Sequence, residues 1–150
     1  VPDAEAIRWH AGRQRLWWTS EGDWARGGIP RLRESLATGQ WASDIPLPAA
    51  FTPKLQPQRT GPRSNASLEG LAFSDDGCTA WLAMEMAWVQ DGPRPTVQTA
   101  GGPVRITALD VATGQAQQQR AYTPDAVPRA RRHAARRRLA DVDRAGPEAA

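Results

Sequence analysis

The chain has 150 residues, the size of a single domain, and its seven Trp and thirteen each of Gly and Pro favour short strands and turns over long helices. The formal charge of +3 arises in residues 129–150, which hold seven Arg against three acids; residues 1–128 carry 12 basic and 13 acidic side chains, so the body gives no indication of an acidic partner. Cys78 is the only cysteine, which excludes an intrachain disulfide, and no apolar run is long enough to span a bilayer.

The first predicted element is a β-hairpin with an acid at each open end. Strand-like residues 5–9 lead through a turn at Gly12 to residues 16–22. Glu21 lies sixteen positions after Glu5, so the two acids mark the start and the end of the hairpin.

A second, tighter turn follows this hairpin. Residues 37–40 read Ala-Thr-Gly-Gln, and Gly39 is expected to supply the positive φ of the turn. A connector rich in Pro, Gln and Thr then occupies residues 48–62.

The same order of elements recurs after the connector. Residues 69–85 repeat the hairpin, again with acids sixteen positions apart. Residues 112–115 repeat Ala-Thr-Gly-Gln, between strand-like residues 104–110 and 117–122. Repetition on this scale indicates a propeller or another repeat array.

We therefore predict an all-β fold: two antiparallel four-stranded blades, about residues 5–47 and 69–122, of an incomplete β-propeller within residues 1–128. A closed propeller needs roughly 4 to 8 blades, so we interpret the chain as a fragment or a truncated product. Residues 129–150 are a basic tail, rich in Arg and Ala, without an apolar stripe. We interpret this tail as helical or disordered, or as sequence read out of frame; a nucleic-acid-binding arm is the hypothesis that we do not favour.

The register of the first hairpin predicts a pair of opposed carboxylates. Opposed residues of an antiparallel pair have a constant sum of sequence numbers. If Trp9 faces Trp17, Glu5 therefore faces Glu21.

The second hairpin predicts the same arrangement, because Phe73 facing Trp81 puts Glu69 opposite Glu85. Like charges directly opposite destabilise a sheet, so a divalent cation, an Arg, a shared proton or a cationic ligand must compensate them. Oxygen ligands from adjacent blades would suit Ca²⁺. The candidate catalytic residues, which are also the candidate metal ligands, are Glu5, Glu21, Glu69 and Glu85.

Three nearby polar residues, Arg8, Arg63 and Asn65, are candidate substrate-binding groups. A guanidinium matches carboxylate or phosphate oxygens, although each Arg has a structural alternative as the partner of a neighbouring Glu. Asn65 is interpreted either as a ligand-orienting group or as the cap of a turn.

No signature of nucleophilic or nucleotide-dependent catalysis occurs in the sequence: GxSxG, a P-loop, HExxH and GxGxxG are all missing. Residues 74–77, Ser-Asp-Asp-Gly, are interpreted as an ordinary hairpin turn, and His10 as a turn residue. Trp24, Trp41 and Trp88 are expected to pack between the blades.

These motifs resemble those of the phytase-like family, described by an "esterase-like activity of phytase". The resemblance rests on Asn-Ala-Ser-Leu-Glu-Gly-Leu-Ala-Phe-Ser-Asp-Asp-Gly at 65–77, on Trp-Thr-Ser-Glu-Gly at 18–22 and on Gly-Pro-Val-Arg-Ile at 102–106, and it covers residues 3–128. It implies a bacterial, commonly exported, propeller-like domain with an ester or phosphoester hydrolase role. The family's acidic and polar positions correspond to Glu5, Arg8, Glu21, Asn65, Glu69 and Glu85.

The leading functional hypothesis is thus a fragment of a phytase-like hydrolase acting on a small ester or phosphoester. Its carboxylates would bind Ca²⁺ or another divalent cation, or orient water for attack. The alternatives are a non-catalytic propeller module that binds a ligand on the same face, and an inactive truncated product.

Overall fold

A computed structural model describes residues 2–52 and 60–127 of the chain. They form two antiparallel four-stranded sheets, each with its strands in sequence order. The first sheet contains β1 (Ala4–His10), β2 (Arg15–Ser20), β3 (Arg31–Ser35) and β4 (Trp41–Ile45). The second sheet contains β5 (Leu68–Phe73), β6 (Thr79–Met84), β7 (Val104–Asp110) and β8 (Ala116–Tyr122). The predicted all-β class with two four-stranded, blade-like sheets is confirmed.

Helical structure in the described ranges is limited to four single 3₁₀ turns, at Ala11–Arg13, Trp24–Arg26, Ala49–Phe51 and Val89–Asp91. No helix in these ranges is long and apolar enough to cross a bilayer. The predicted basic tail, residues 129–150, lies outside the described residues, as does part of the connector.

The predicted turn chemistry is found in both repeats. Gly39 and Gly114, the glycines of the two Ala-Thr-Gly-Gln segments, have φ values of +85° and +71°. Gly77 closes the turn of residues 74–77 with a φ of +70°. In the first hairpin the positive φ falls on Gln14 (+52°) rather than on Gly12, because a 3₁₀ turn is inserted between the strands.

The core lies between the two sheets. Trp17 is fully buried, and its ring meets that of Phe73 edge-on at 5.4 Å between centroids. His10 is also buried; its Nε2 is 2.8 Å from the Gly77 carbonyl oxygen. His10 Nδ1 accepts a hydrogen bond from the Arg13 N–H, so Nε2 carries the proton and donates it. His10 therefore bridges the sheets and is more than the turn residue that we predicted.

The predicted register of both hairpins is wrong by one residue. The observed opposed pairs are Trp9 with Leu16, and Phe73 with Ala80. A shift of one residue moves side chains to opposite faces. Trp17 accordingly enters the core, whereas Trp9 stays 43% exposed.

The expectation that three further tryptophans pack between blades holds only in part. Trp88 is buried against Phe51, at 5.3 Å between ring centroids. The Arg105 guanidinium carbon lies 4.1 Å from the centroid of the Trp88 ring. Trp41 is 60% exposed, so the expectation is wrong for that residue. Trp24 is half-buried, and its Nε1 donates to the Glu21 carbonyl oxygen at 3.0 Å.

A buried carboxylate, Glu34, anchors the core tryptophan of the first sheet. Its Oε1 accepts hydrogen bonds from Trp17 Nε1 at 2.9 Å and from Arg13 Nε at 3.0 Å, and Ser43 donates to its Oε2 at 3.1 Å. Burial opposes the charged form, but these donors prevail and hold the pKa of Glu34 below its ordinary value of 4.5.

We expect Glu34→Ala to lower the free energy of unfolding at neutral pH by about 1–3 kcal/mol, because it strands the indole N–H of Trp17 in the core. A carboxyl with a lowered pKa stabilises the fold above its unfolded-state pKa and loses that effect as the pH falls through its folded-state pKa. The difference between variant and parent should therefore shrink below pH 4.5. Urea unfolding at neutral and acidic pH measures it, and an equal difference at both would contradict the prediction.

Candidate functional site

A β-bulge occurs at the same place in both hairpins, at the first acid of each repeat. The register shifts between Ala4 and Ile7 in the first sheet, and between Leu68 and Gly70 in the second. Glu5 and Glu69 lie within these shifts. Bulges commonly re-aim a side chain next to a functional site.

Because of the bulges, the second acid of each hairpin is opposite a residue that sequence reasoning overlooked. The Glu21 N–H donates to the Asp3 carbonyl oxygen at 2.9 Å, and the Glu85 N–H donates to the Ser67 carbonyl oxygen at 2.8 Å. The prediction that Glu5 faces Glu21 and that Glu69 faces Glu85 is therefore wrong. Asp3 and Ser67 occupy equivalent repeat positions, so a correct register would have identified both.

The four predicted acids nevertheless converge. Carboxylate oxygens of Asp3, Glu5 and Glu21 lie within 4.8 Å of one another, and so do those of Glu21, Glu69 and Glu85. Glu21 belongs to both groups and joins the two sheets. We call these five residues the carboxylate cluster.

Glu21 holds the centre of the carboxylate cluster in a fixed position. Its side chain is buried, with the residue 2% exposed, and its Oε1 accepts a hydrogen bond from the Ser67 N–H. Gly22 follows it with a φ of +76°, and Trp24 closes the turn through its bond to the Glu21 carbonyl. The other acids of the cluster are exposed, so Glu21 is the buried base of an otherwise open site.

The cluster has no cationic partner in the part of the chain that the structure describes: none of the ion pairs there involves its five acids. Partial desolvation, and then the carboxylates of Glu69 and Asp3, raise the pKa of Glu5 above 4.5. Burial also raises the pKa of Glu21; the Ser67 hydrogen bond opposes this, and Glu85, Glu5 and Glu69 add to it. The unbalanced negative charge favours binding of protons or cations.

An open cavity of about 320 Å³ lies beside the cluster. Its lining includes Asp3, Asp23, Trp24 and Asn65. Asn65 has a φ of +51°, the left-handed conformation of a turn residue, and is exposed. Asn65 is thus a turn residue that lines the cavity, and its role in orienting a ligand stays a prediction. Trp24 is a wall of the cavity that the sequence did not indicate.

The two predicted substrate-binding arginines are occupied by backbone carbonyls. Arg63 donates from Nε to Ala87 at 2.9 Å and from Nη2 to Gly92 at 2.6 Å, which ties down the loop between β6 and β7. Arg8 is exposed, and its Nη1 donates to the Ile7 carbonyl oxygen at 2.7 Å. Neither arrangement is the pairing with a neighbouring Glu that we gave as the structural alternative.

Comparison with known protein families places the chain in one of them. A family model, phytase-like, described as "esterase-like activity of phytase", matches residues 1–146. The match extends past Pro128, where the sequence motifs had placed the end of the resemblance, and takes in most of the basic tail. The chain shows no significant similarity to a curated protein or to a solved structure.

Proposed function

The chain belongs to the phytase-like family. We propose that it acts as an ester or phosphoester hydrolase and that its carboxylate cluster binds a divalent cation. The observation that carries the proposal is the convergence of five carboxylates that lack an ion-pair partner among the described residues. An all-oxygen donor set from flexible carboxylates suits Ca²⁺ better than a soft metal.

The buried and the exposed residues of the cluster have different proposed roles. Glu21, fixed by the Ser67 N–H, would hold the cation between the two sheets, together with exposed carboxylates from either side. A bound divalent cation supplies Lewis-acid polarisation of the ester oxygen. Glu5, exposed and with a raised pKa, would accept a proton from an attacking water as the water oxygen adds to the carbonyl carbon or phosphorus. Glu5 would then return that proton to the leaving oxygen, so that the product leaves as an alcohol.

The cavity beside the cluster is the proposed place for the substrate. Trp24 offers an aromatic wall and Asn65 an amide that can donate to an ester oxygen. Its acidic lining, Asp3 and Asp23, would repel a phosphoester unless a cation lies between. The proposal therefore requires cation dependence of any phosphoester hydrolysis.

The test is hydrolysis of p-nitrophenyl phosphate and p-nitrophenyl acetate by the purified chain across a Ca²⁺ titration. We expect cation-dependent turnover that falls by about tenfold in Glu69→Gln and in Glu85→Gln, since each removes one charged ligand. Asp75→Asn is the matched control, because Asp75 is an exposed acid in the turn of the second hairpin.

Unchanged rates in both Gln variants would remove these residues from the mechanism. Stabilisation by Ca²⁺ without turnover would instead support the alternative of a non-catalytic binding module. The exported location implied by the family resemblance stays a prediction.

A further inference from the structure

The first hairpins of the two repeats are related by a constant offset of 64 positions, which connects Glu5 with Glu69 and Glu21 with Glu85. The second sheet packs on the first through one face, and on strands β5 and β6 the side chains of that face are apolar. The residues of that face are Leu71, Phe73, Ala80 and Leu82. Their equivalents in the first sheet are Ile7, Trp9, Leu16 and Trp18, which the observed register also places together on one face.

That face of the first sheet, which we call the leading face, is not covered by any part of the chain that the structure describes. Ile7 is 56% exposed and Trp9 43% exposed, although their equivalents in the second sheet are in the core cluster or packed against it. Trp41 lies on the same face, at the far strand β4, and its exposure has the same cause. An open groove of about 320 Å³ runs between Ile7, Leu16 and Trp18.

The opposite relation holds on the free side of the second sheet, which we call the trailing face. Trp17 is fully buried where the first sheet meets the second, and its equivalent is Trp81. Trp81 pairs with Ala72 and Ala108, on the face turned away from the first sheet, and is only half-buried. In the same way Glu21 is buried, whereas its equivalent Glu85 is exposed.

The leading and trailing faces are therefore equivalent to the two halves of the interface that already exists within the chain. We propose that copies of this chain associate head to tail, with the trailing face of one copy on the leading face of the next. Trp81 of one copy would then pack on Trp9 of its neighbour, as Trp17 packs on Phe73 within one chain.

Such an interface joins two different surfaces and so leaves one unused face at each end of a pair. Heterologous contacts of this kind either close into rings or extend as filaments. Blade-like sheets close at roughly 4 to 8 per ring. With the two sheets that the described residues of each copy form, closure would take roughly two to four copies. Head-to-tail association goes beyond hydrolysis, because it rests on the exposed aliphatic and aromatic side chains of the two faces, although Glu5 of the carboxylate cluster also lines the groove of the leading face.

Sedimentation velocity of the full chain, from about 1 to 100 µM, tests the proposal. We expect the unmodified chain to sediment as a closed oligomer at the upper end. Trp81→Arg and Trp9→Arg should each sediment as monomers, while Val97→Arg, which changes an exposed apolar residue outside both faces, should assemble like the parent.

Mixing the two variants gives the decisive result. Trp81→Arg keeps an intact leading face and Trp9→Arg an intact trailing face, so an equimolar mixture should form a one-to-one dimer and nothing larger. A monomeric parent at all concentrations, an oligomeric Trp81→Arg variant, or a mixture that stays monomeric while both variants keep a β-sheet circular dichroism spectrum would each overturn the proposal. The sedimentation of the unmodified chain, as a monomer or as an oligomer, tests the proposal even if a variant does not fold.

Discussion

Replacing Glu21 by Gln is expected to stabilise the cation-free protein and, at the same time, to weaken the proposed binding of divalent cations. The amide keeps an oxygen acceptor for the Ser67 N–H and removes the charge that Glu21 brings near Glu85, Glu5 and Glu69. Relief of like-charge repulsion should add about 0.5–1 kcal/mol to the free energy of unfolding. Because Glu21 belongs to both carboxylate groups, Ca²⁺ affinity and any hydrolysis should fall by about a hundredfold.

The pH dependence of stability provides an independent reading of the same variant. The pKa values of Glu5 and Glu21 are raised by burial and by neighbouring carboxylates, so the folded state binds protons more tightly than the unfolded state. Stability of the cation-free parent should therefore decline as the pH rises above 4.5 through the folded-state pKa values. Glu21→Gln should flatten that decline, and Ca²⁺ should offset it in the parent alone.

Urea unfolding across this pH range, with Ca²⁺ and with chelator, measures both effects. Glu69→Gln is the matched control: it makes the same chemical change at an exposed acid that belongs to one group only, so its effects should be smaller. A Glu21→Gln variant that is less stable than the parent at neutral pH without cation would show that its charge is satisfied in the fold, against the proposed cation site.

The repeat made most of the fold predictable. Turns at glycines such as Gly39 and Gly114 can be predicted from the sequence, because a positive φ favours glycine and both residues have one. The eight strands follow from turns placed at regular intervals. The order of strands then follows from short connections between neighbours.

The register was not predictable from the same information. Aromatic pairing and acid spacing predicted the same register in both copies, and it was wrong in both. The aromatic pairs next to each turn are already shifted by one residue, and a bulge at Glu5 and at Glu69, which composition does not mark, shifts the open end by one more. The acids converge all the same, since Glu21 reaches across to the second sheet through Ser67. That contact joins residues 46 positions apart, and only packing of the sheets reveals it.

The second large effect is expected for Gly22→Ala, which acts on the residue after Glu21. At Gly22 an added Cβ would lie 2.5 Å from the Ile29 carbonyl oxygen and 2.7 Å from the Ile29 nitrogen, both backbone atoms. The φ of +76° adds the strain of a left-handed L-residue. Together these should cost about 3 kcal/mol in the free energy of unfolding and displace Glu21 from the base of the cluster.

Gly27→Ala separates the two causes. Gly27 has the same φ of +76°, but an added Cβ there meets no atom within 4 Å. It should cost only about 1 kcal/mol, the conformational part, and leave Ca²⁺ binding unchanged. Urea unfolding and a Ca²⁺ titration of both variants test this, and equal losses of stability would mean that the Ile29 segment moves aside. If Gly22→Ala lost stability but kept full Ca²⁺ affinity, the turn would support the fold without positioning Glu21, and the cation site would depend on the exposed carboxylates alone.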